Sequence, residues 1–120
     1  MRATLVKALS FDAAHCLPAL PEGHKCRQLH GHNFVVEVAV EGEVDPRTGM
    51  VRDYGDISDA ARPVIAQLDH RYLNDIPGLA NPTSEALARW LWDHLAPLLP
   101  GLACVTVRES DTARCEYRGN

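Results

Sequence analysis

Alternation of apolar and polar residues predicts two strands in the first third of the chain. Residues 2–11 alternate weakly, because Lys7 interrupts the face that holds the apolar side chains. Residues 33–43 are the clearest strand, since alternate positions place one uninterrupted apolar row on a single face: Phe34, Val36, Val38 and Val40. Asp45-Pro46 and Gly49 then predict a turn.

The middle of the chain changes to helical spacing. Asp53 is a suitable N-cap for a first helix, and its apolar residues recur every three or four positions: Ile57, Ala60, Ala61, Val64, Ile65 and Leu68. Pro63 removes one backbone hydrogen bond inside this helix, so a kink is expected there. Thr83 is the predicted N-cap of a second helix, whose buried stripe consists of Leu87, Trp90, Leu91 and Leu95.

Two further strands are predicted at residues 103–110 and 114–118. The order β-β-α-α-β-β predicts an α+β fold, with a four-stranded antiparallel sheet and two helices on one of its faces. The length of 120 residues suits a single domain spanning 1–120. Such a sheet has two open edges, which predicts a homo-oligomer.

Composition excludes several kinds of partner. The formal net charge of −4 argues against nucleic-acid binding, and no apolar run approaches membrane-spanning length. The N-terminus shows no secretory signal, which predicts a cytoplasmic protein whose cysteines are free thiols. Three of these cysteines are interpreted as small apolar packing residues: Cys16, Cys104 and Cys115.

Histidines supply the strongest chemical signal. His30 and His32 are two positions apart, so in an extended strand both imidazoles project from the same face and suit zinc. His15, at the end of the first strand, is a third ligand, and three histidines leave one coordination position open, as in catalytic zinc sites. Cys26 is either a fourth ligand that closes a structural site or a free thiolate that acts as base or nucleophile. Alternatively, His30 and His32 are ordinary polar strand residues. The nearby His24 is interpreted as a solvated loop residue.

Two other polar positions are candidates for function. Glu109 continues an apolar stripe, and a carboxylate there is costly unless it is paired, so it is expected to bind a donor-rich group. The alternative is that the strand frays and Glu109 points into water. His70 beside Asp69 is the best remaining general acid or base, unless it only caps its helix. The residues alone thus indicate a zinc-dependent enzyme for a small oxygenated molecule, or a non-catalytic zinc-stabilised assembly protein if Cys26 closes the site.

Taken together, these motifs resemble the 6-pyruvoyl-tetrahydropterin synthase family over essentially all 120 residues. The resemblance is carried by Phe11-Asp12-Ala13-Ala14-His15, Cys26-Arg27-Gln28-Leu29-His30-Gly31-His32, Leu68-Asp69-His70, Asn81-Pro82-Thr83-Ser84-Glu85 and Arg108-Glu109. Residues 21–26, residues 72–78 and the short spacing from Cys26 to His30 are similar to the queuosine-pathway branch of the family, which forms a carboxy-pterin.

This resemblance implies a T-fold, in which sheets from several subunits of a tetramer or hexamer join into a barrel with sites at subunit interfaces. It implies conversion of 7,8-dihydroneopterin triphosphate to 6-carboxy-5,6,7,8-tetrahydropterin, with release of acetaldehyde and triphosphate, by a zinc-dependent carbon–carbon lyase. The sister activity of the family eliminates triphosphate without side-chain cleavage and yields a 6-pyruvoyl-pterin.

The resemblance also implies a role for each candidate residue. Lys25 and Arg27 are weaker candidates for holding the triphosphate, or else exposed loop charges. The implied zinc ligands are His15, His30 and His32. The implied proton acceptor is Cys26, and the implied proton relay is His70 with Asp69. Glu109 is the implied anchor of the pterin ring.

Overall fold

The computed structural model describes all residues from 1 to 120 and confirms the predicted element order. Short 3-10 turns at Lys25–Arg27 and Leu73–Asp75 interrupt two of the connections. The main elements are β1 (Arg2–His15), β2 (His30–Glu43), α1 (Tyr54–Ala66), α2 (Ser84–Leu95), β3 (Leu102–Arg108) and β4 (Arg114–Tyr117).

The four strands form one antiparallel sheet in the order β1-β2-β3-β4. Helix α1 packs against β1, and α2 packs against β3 and β4, so one face of the sheet is covered and the α+β prediction is confirmed. At the centre of this covered face Phe11 and Phe34 are directly paired across β1 and β2, and their rings stack with centroids 5.0 Å apart.

Both long strands extend further than their alternation predicts. β1 continues from the predicted end at residue 11 to His15, and β2 begins at His30 instead of residue 33. The two extensions pair with each other, with His15 opposite His30 and Ala14 opposite Gly31. Cross-strand hydrogen bonds therefore continue the sheet where the small residues give no alternating pattern.

Strand β3, in contrast, ends earlier than predicted. It stops at Arg108, two residues before the predicted end, and Glu109 lies in a bend between β3 and β4. The predicted strand at 114–118 ends one residue early, at Tyr117.

The predicted N-caps of both helices are confirmed. Asp53 Oδ1 accepts a hydrogen bond of 2.7 Å from the Gly55 amide, and Thr83 Oγ1 accepts one of 3.1 Å from the Ala86 amide. Pro63 lies inside α1 on its exposed side. Neither helix has the length and apolarity needed to cross a membrane.

Candidate metal centre and its surroundings

Three histidines meet where β1 ends and β2 begins. His15 is the last residue of β1, while His30 and His32 are the first and third residues of β2. Strand pairing places His15 opposite His30, and the alternation of β2 turns His32 to the same face. One ring nitrogen from each residue lies within 4.8 Å of the others, which is close enough for a single metal ion to bridge them.

Backbone carbonyls orient two of the three rings. His15 is fully buried, with Nδ1 2.9 Å from the Pro82 carbonyl oxygen, and His30 Nδ1 lies 2.7 Å from the Gln28 carbonyl oxygen. A ring that donates from Nδ1 keeps a lone pair on Nε2, the atom that binds metal in such arrangements. His15 Nε2 is buried and has no hydrogen-bond partner. An unpartnered buried nitrogen of this kind fits a metal ligand.

The environment of His15 also favours its neutral form. Burial lowers the pKa of His15, and the Pro82 carbonyl acts in the opposite direction as a smaller effect. Neutral imidazole is the ligating form, and three imidazoles suit zinc. The Sγ atom of Cys26 is not among the ligand atoms gathered at this centre, so the cluster consists of nitrogen donors only.

Glu109 lies beside the histidines although its strand has already ended. Its Oε1 accepts a hydrogen bond of 3.0 Å from the Ser84 hydroxyl, and its Oε2 is 3.8 Å from His32 Nε2. The strand thus ends before Glu109, as the alternative interpretation expected. The carboxylate nevertheless points towards polar partners, as the first interpretation expected. Glu109, Ser84 and His32 line a cavity of about 500 Å³.

Two participants in this region were not predicted as such. Ser84 lies within the motif 81–85 that carries the family resemblance, so its residue type gave a usable signal. The Pro82 carbonyl gave none, because every residue has a carbonyl oxygen and only the fold selects this one.

His70 and Asp69 form the contact that adjacency alone left open. Asp69 Oδ1 is 3.0 Å from His70 Nδ1 and also accepts a 3.0 Å hydrogen bond from the Asp12 amide. The Asp12 amide, followed by the His70 ring, lowers the pKa of Asp69. His70 donates its own amide to the Asp12 carbonyl at 2.6 Å and has a positive φ of 59°. Both residues are thus fixed to the edge of β1.

The Asp69–His70 pair and the trihistidine centre are separate clusters of ligand atoms within one chain. Asp12, Asp69 and His70 gather their ligand atoms in one place, and the three histidines gather theirs in another, with no residue in common. His70 faces a groove of about 570 Å³, which His32 also lines, and the His70 side chain is 78% exposed.

All four cysteines are free thiols. Cys26 is half-buried in the turn Lys25–Arg27, on the loop that joins β1 to β2. Cys104 is buried, as predicted for a packing residue, and Cys115 is half-buried. Cys16 differs from that prediction: its Sγ lies 3.1 Å from the Tyr72 hydroxyl, so it makes a polar contact.

Comparison with known proteins agrees with this geometry. Residues 4–120 match the family model described as 6-pyruvoyl tetrahydropterin synthase. The chain is 43% identical over 119 residues to 6-carboxy-5,6,7,8-tetrahydropterin synthase of Synechocystis sp., covering 94% of this chain and 91% of the relative. It is 39% identical over 101 residues to dihydroneopterin monophosphate aldolase of Pyrococcus furiosus, covering 84% and 82%.

A solved structure shows the same architecture. The 6-pyruvoyl tetrahydropterin synthase of Caenorhabditis elegans matches with a TM-score of 0.91 and 31% identity, covering 100% of this chain and 97% of that one. The T-fold arrangement predicted for the single chain is thereby confirmed. The chain belongs to the 6-pyruvoyl tetrahydropterin synthase family.

Proposed function

We propose that this chain is a zinc-dependent carbon–carbon lyase that acts in queuosine biosynthesis. Its substrate is 7,8-dihydroneopterin triphosphate, and its products are 6-carboxy-5,6,7,8-tetrahydropterin, acetaldehyde and triphosphate. The observation that carries the proposal is the trihistidine cluster with an unpartnered, buried His15 Nε2 beside the Glu109 carboxylate. The relative from Synechocystis supports this choice within the family.

The metal would be held by ring nitrogens of His15, His30 and His32, which fit zinc by type and number. A zinc ion bound there supplies Lewis acidity, which lowers the pKa of a substrate hydroxyl and polarises a neighbouring carbonyl. The carbonyl oxygens of Pro82 and Gln28 keep two of the rings in the ligating orientation.

Glu109 holds the pterin ring in this proposal. The 2-amino group and the adjacent ring N–H of a pterin present two parallel donors, which a carboxylate accepts as a pair. The Ser84 hydroxyl fixes one carboxylate oxygen, and the other lies 3.8 Å from His32 Nε2. A pterin ring held by Glu109 therefore places the side chain of the substrate near the histidines.

Cys26 accepts a proton from the substrate side chain, and His70 exchanges a second proton through its ring. Asp69 holds His70 Nδ1 and so leaves Nε2 available to the substrate. Because the relay pair and the histidine cluster are separate within one chain, we propose that His70 and Asp69 act on a neighbouring subunit's centre in a tetramer or hexamer. A cysteine can accept a proton on its thiolate sulfur only while that sulfur is reduced, which suits the cytoplasm.

The test is to incubate zinc-loaded protein with 7,8-dihydroneopterin triphosphate and to measure acetaldehyde together with the pterin product. Cys26→Ala is assayed in parallel, with zinc content determined for both proteins. We expect acetaldehyde and a carboxy-pterin from the unaltered protein only, with the same zinc content in the variant. Loss of both activity and zinc from Cys26→Ala would instead support the structural-zinc interpretation.

Two further outcomes would reassign the reaction within the family. A pyruvoyl-pterin without acetaldehyde would indicate the activity named for the Caenorhabditis elegans structure. Turnover of dihydroneopterin monophosphate in preference to the triphosphate would indicate the activity named for the Pyrococcus furiosus relative.

A further inference from the structure

The loop that carries Cys26 is held together by its own side chains. Residues 16–29 connect β1 to β2 and contain no regular structure except the turn Lys25–Arg27. A connection of this length has many accessible conformations unless internal contacts reduce their number. At its start the loop is anchored from outside, because Asn74 and Tyr72 contact Cys16, and at its far end its own side chains act on Cys26 and its neighbours.

Both main-chain polar groups of Cys26 are engaged. Its amide donates to His24 Nδ1 at 3.1 Å, and its carbonyl accepts a 2.8 Å hydrogen bond from the Leu17 amide. Only a neutral imidazole with its proton on Nε2 can accept at Nδ1. His24 is therefore more than the solvated loop residue predicted above, because it caps the turn in which Cys26 lies.

Arg27 closes the same loop from the other side. Its Nη1 donates to the carbonyl oxygens of Pro18 and Leu20, at 2.9 and 2.7 Å. These charge-assisted bonds tie the outgoing arm of the loop to the turn. The Lys25 side chain, by comparison, is exposed and makes no hydrogen bond or ion pair.

We propose that His24 and Arg27 are positioning residues for Cys26, and that the Arg27 guanidinium stabilises the loop instead of binding the triphosphate. The inference rests on the proposed role of Cys26 as proton acceptor. Proton transfer requires the sulfur to be within hydrogen-bond reach of the substrate, and displacements of about 1 Å can reduce a rate by roughly 100-fold. Of the two loop cations, Lys25 remains the candidate for binding phosphate.

Three variants of the zinc-loaded chain of residues 1–120 test this arrangement: Arg27→Ala, His24→Ala and His24→Asn. Asparagine keeps an acceptor at the position of Nδ1, because its side-chain oxygen can receive the same amide hydrogen bond. Arg89→Ala is the control, since Arg89 is an exposed arginine on α2 without a hydrogen bond or ion pair.

Two quantities are measured for each protein. The first is kcat and KM with 7,8-dihydroneopterin triphosphate. The second, which needs no activity, is the rate at which iodoacetamide alkylates Cys26. Cleavage after Glu22 and Glu37 releases peptide 23–37, in which Cys26 is the single cysteine, so its alkylation can be followed by mass spectrometry.

We expect Arg27→Ala and His24→Ala to lower kcat by roughly 10- to 100-fold with little change in KM. Their Cys26 should be alkylated several-fold faster, because the loosened turn exposes the half-buried thiol. His24→Asn should restore both values to near those of the unaltered protein, and Arg89→Ala should leave both unchanged.

Other results would overturn the inference. A raised KM with unchanged kcat and alkylation in Arg27→Ala would identify Arg27 as a phosphate ligand. Equal impairment of His24→Asn and His24→Ala would show that the acceptor atom is irrelevant. If the unaltered protein does not turn over the triphosphate, the proposed function fails, whereas the alkylation rates still decide whether His24 and Arg27 position the thiol.

Discussion

The chemistry of single residues explains why the clustering of the candidate metal ligands was predictable and the contacts that orient them were not. Residue type and spacing alone were enough to select His15, His30 and His32. The Pro82 and Gln28 carbonyls that orient two of these rings have no such signal, because orientation depends on how the chain folds back on itself. Asp69 itself was predicted, but its hydrogen bond from the Asp12 amide was not, because it joins residues far apart in sequence.

The lowered pKa of Asp69 predicts a specific dependence of stability on pH. A carboxyl group whose pKa is depressed by folding stabilises the native state above its ordinary value of 3.8, and this contribution is lost as pH falls through the folded-state pKa. The free energy of unfolding of the unaltered protein should therefore exceed that of Asp69→Asn near neutral pH. The difference should shrink below about pH 4.

Urea denaturation of the metal-free proteins between pH 7 and pH 2.5 measures this difference. Asp59→Asn is the control, because Asp59 is exposed on α1 and its side chain makes no hydrogen bond or ion pair. A gap between the unaltered protein and Asp69→Asn that stays constant over the whole range would contradict the assignment.

At the level of elements, periodicity identified every helix and strand but misplaced several ends. The apolar alternation is interrupted by small residues such as Ala14 and Gly31, so that pattern alone did not extend the strands to His15 and His30, although the same-face argument for His30 and His32 already assumed an extended backbone. The end of β3 was predicted two residues too late. Glu109 continues the alternation of the strand, although the backbone already bends at this residue. Strand ends depend on partners that a single segment does not reveal.

The start of α2 links helix capping to the metal centre, which leads to a paired prediction. Thr83 caps α2, and the residue before it presents the carbonyl that faces His15. Thr83→Ala should reduce stability by about 1 kcal/mol and weaken zinc binding by roughly 10-fold, because the Pro82 carbonyl loses its fixed position.

Asp53→Ala is the matched comparison, since it removes the equivalent cap of α1 away from the histidines. It should cost a similar amount of stability, about 1 kcal/mol, without changing zinc affinity. Thermal unfolding and competition with a chromogenic chelator measure the two effects. Equal zinc affinities in the two variants would show that capping and metal binding are independent.

At the scale of the whole molecule, the three histidines and the Asp69–His70 pair form two clusters of ligand atoms, although His32 and His70 line one groove. The sheet also has open edges at β1 and β4, where backbone groups can pair with another copy. The sequence motifs name the three histidines, Asp69 and His70 as one set of functional residues. Their division into two clusters depends on tertiary structure, so the motifs could not predict it.

Mixing two inactive variants tests whether the site is shared between subunits. Cys26→Ala and His70→Ala are dissociated, mixed in equal amounts and reassembled. If Cys26 of one chain works with His70 of another, about a quarter of the sites should contain both intact residues and regain activity. Each variant reassembled alone is the control, and a mixture as inactive as its components would indicate that both residues act within one chain.

The backbone of His70 has a consequence for how this chain responds to selection. Its φ of 59° is a conformation that glycine adopts freely and that costs an L-residue about 1 kcal/mol or more. His70→Gly should therefore be more stable than His70→Ala by about 1 kcal/mol in urea denaturation, although both lack the imidazole. Equal stabilities would show that no strain is stored there. If His70→Gly also proves more stable than the unaltered protein, which keeps the contact of His70 with Asp69, directed evolution for heat resistance alone would discard this histidine. Only a screen that also demands turnover would then retain it.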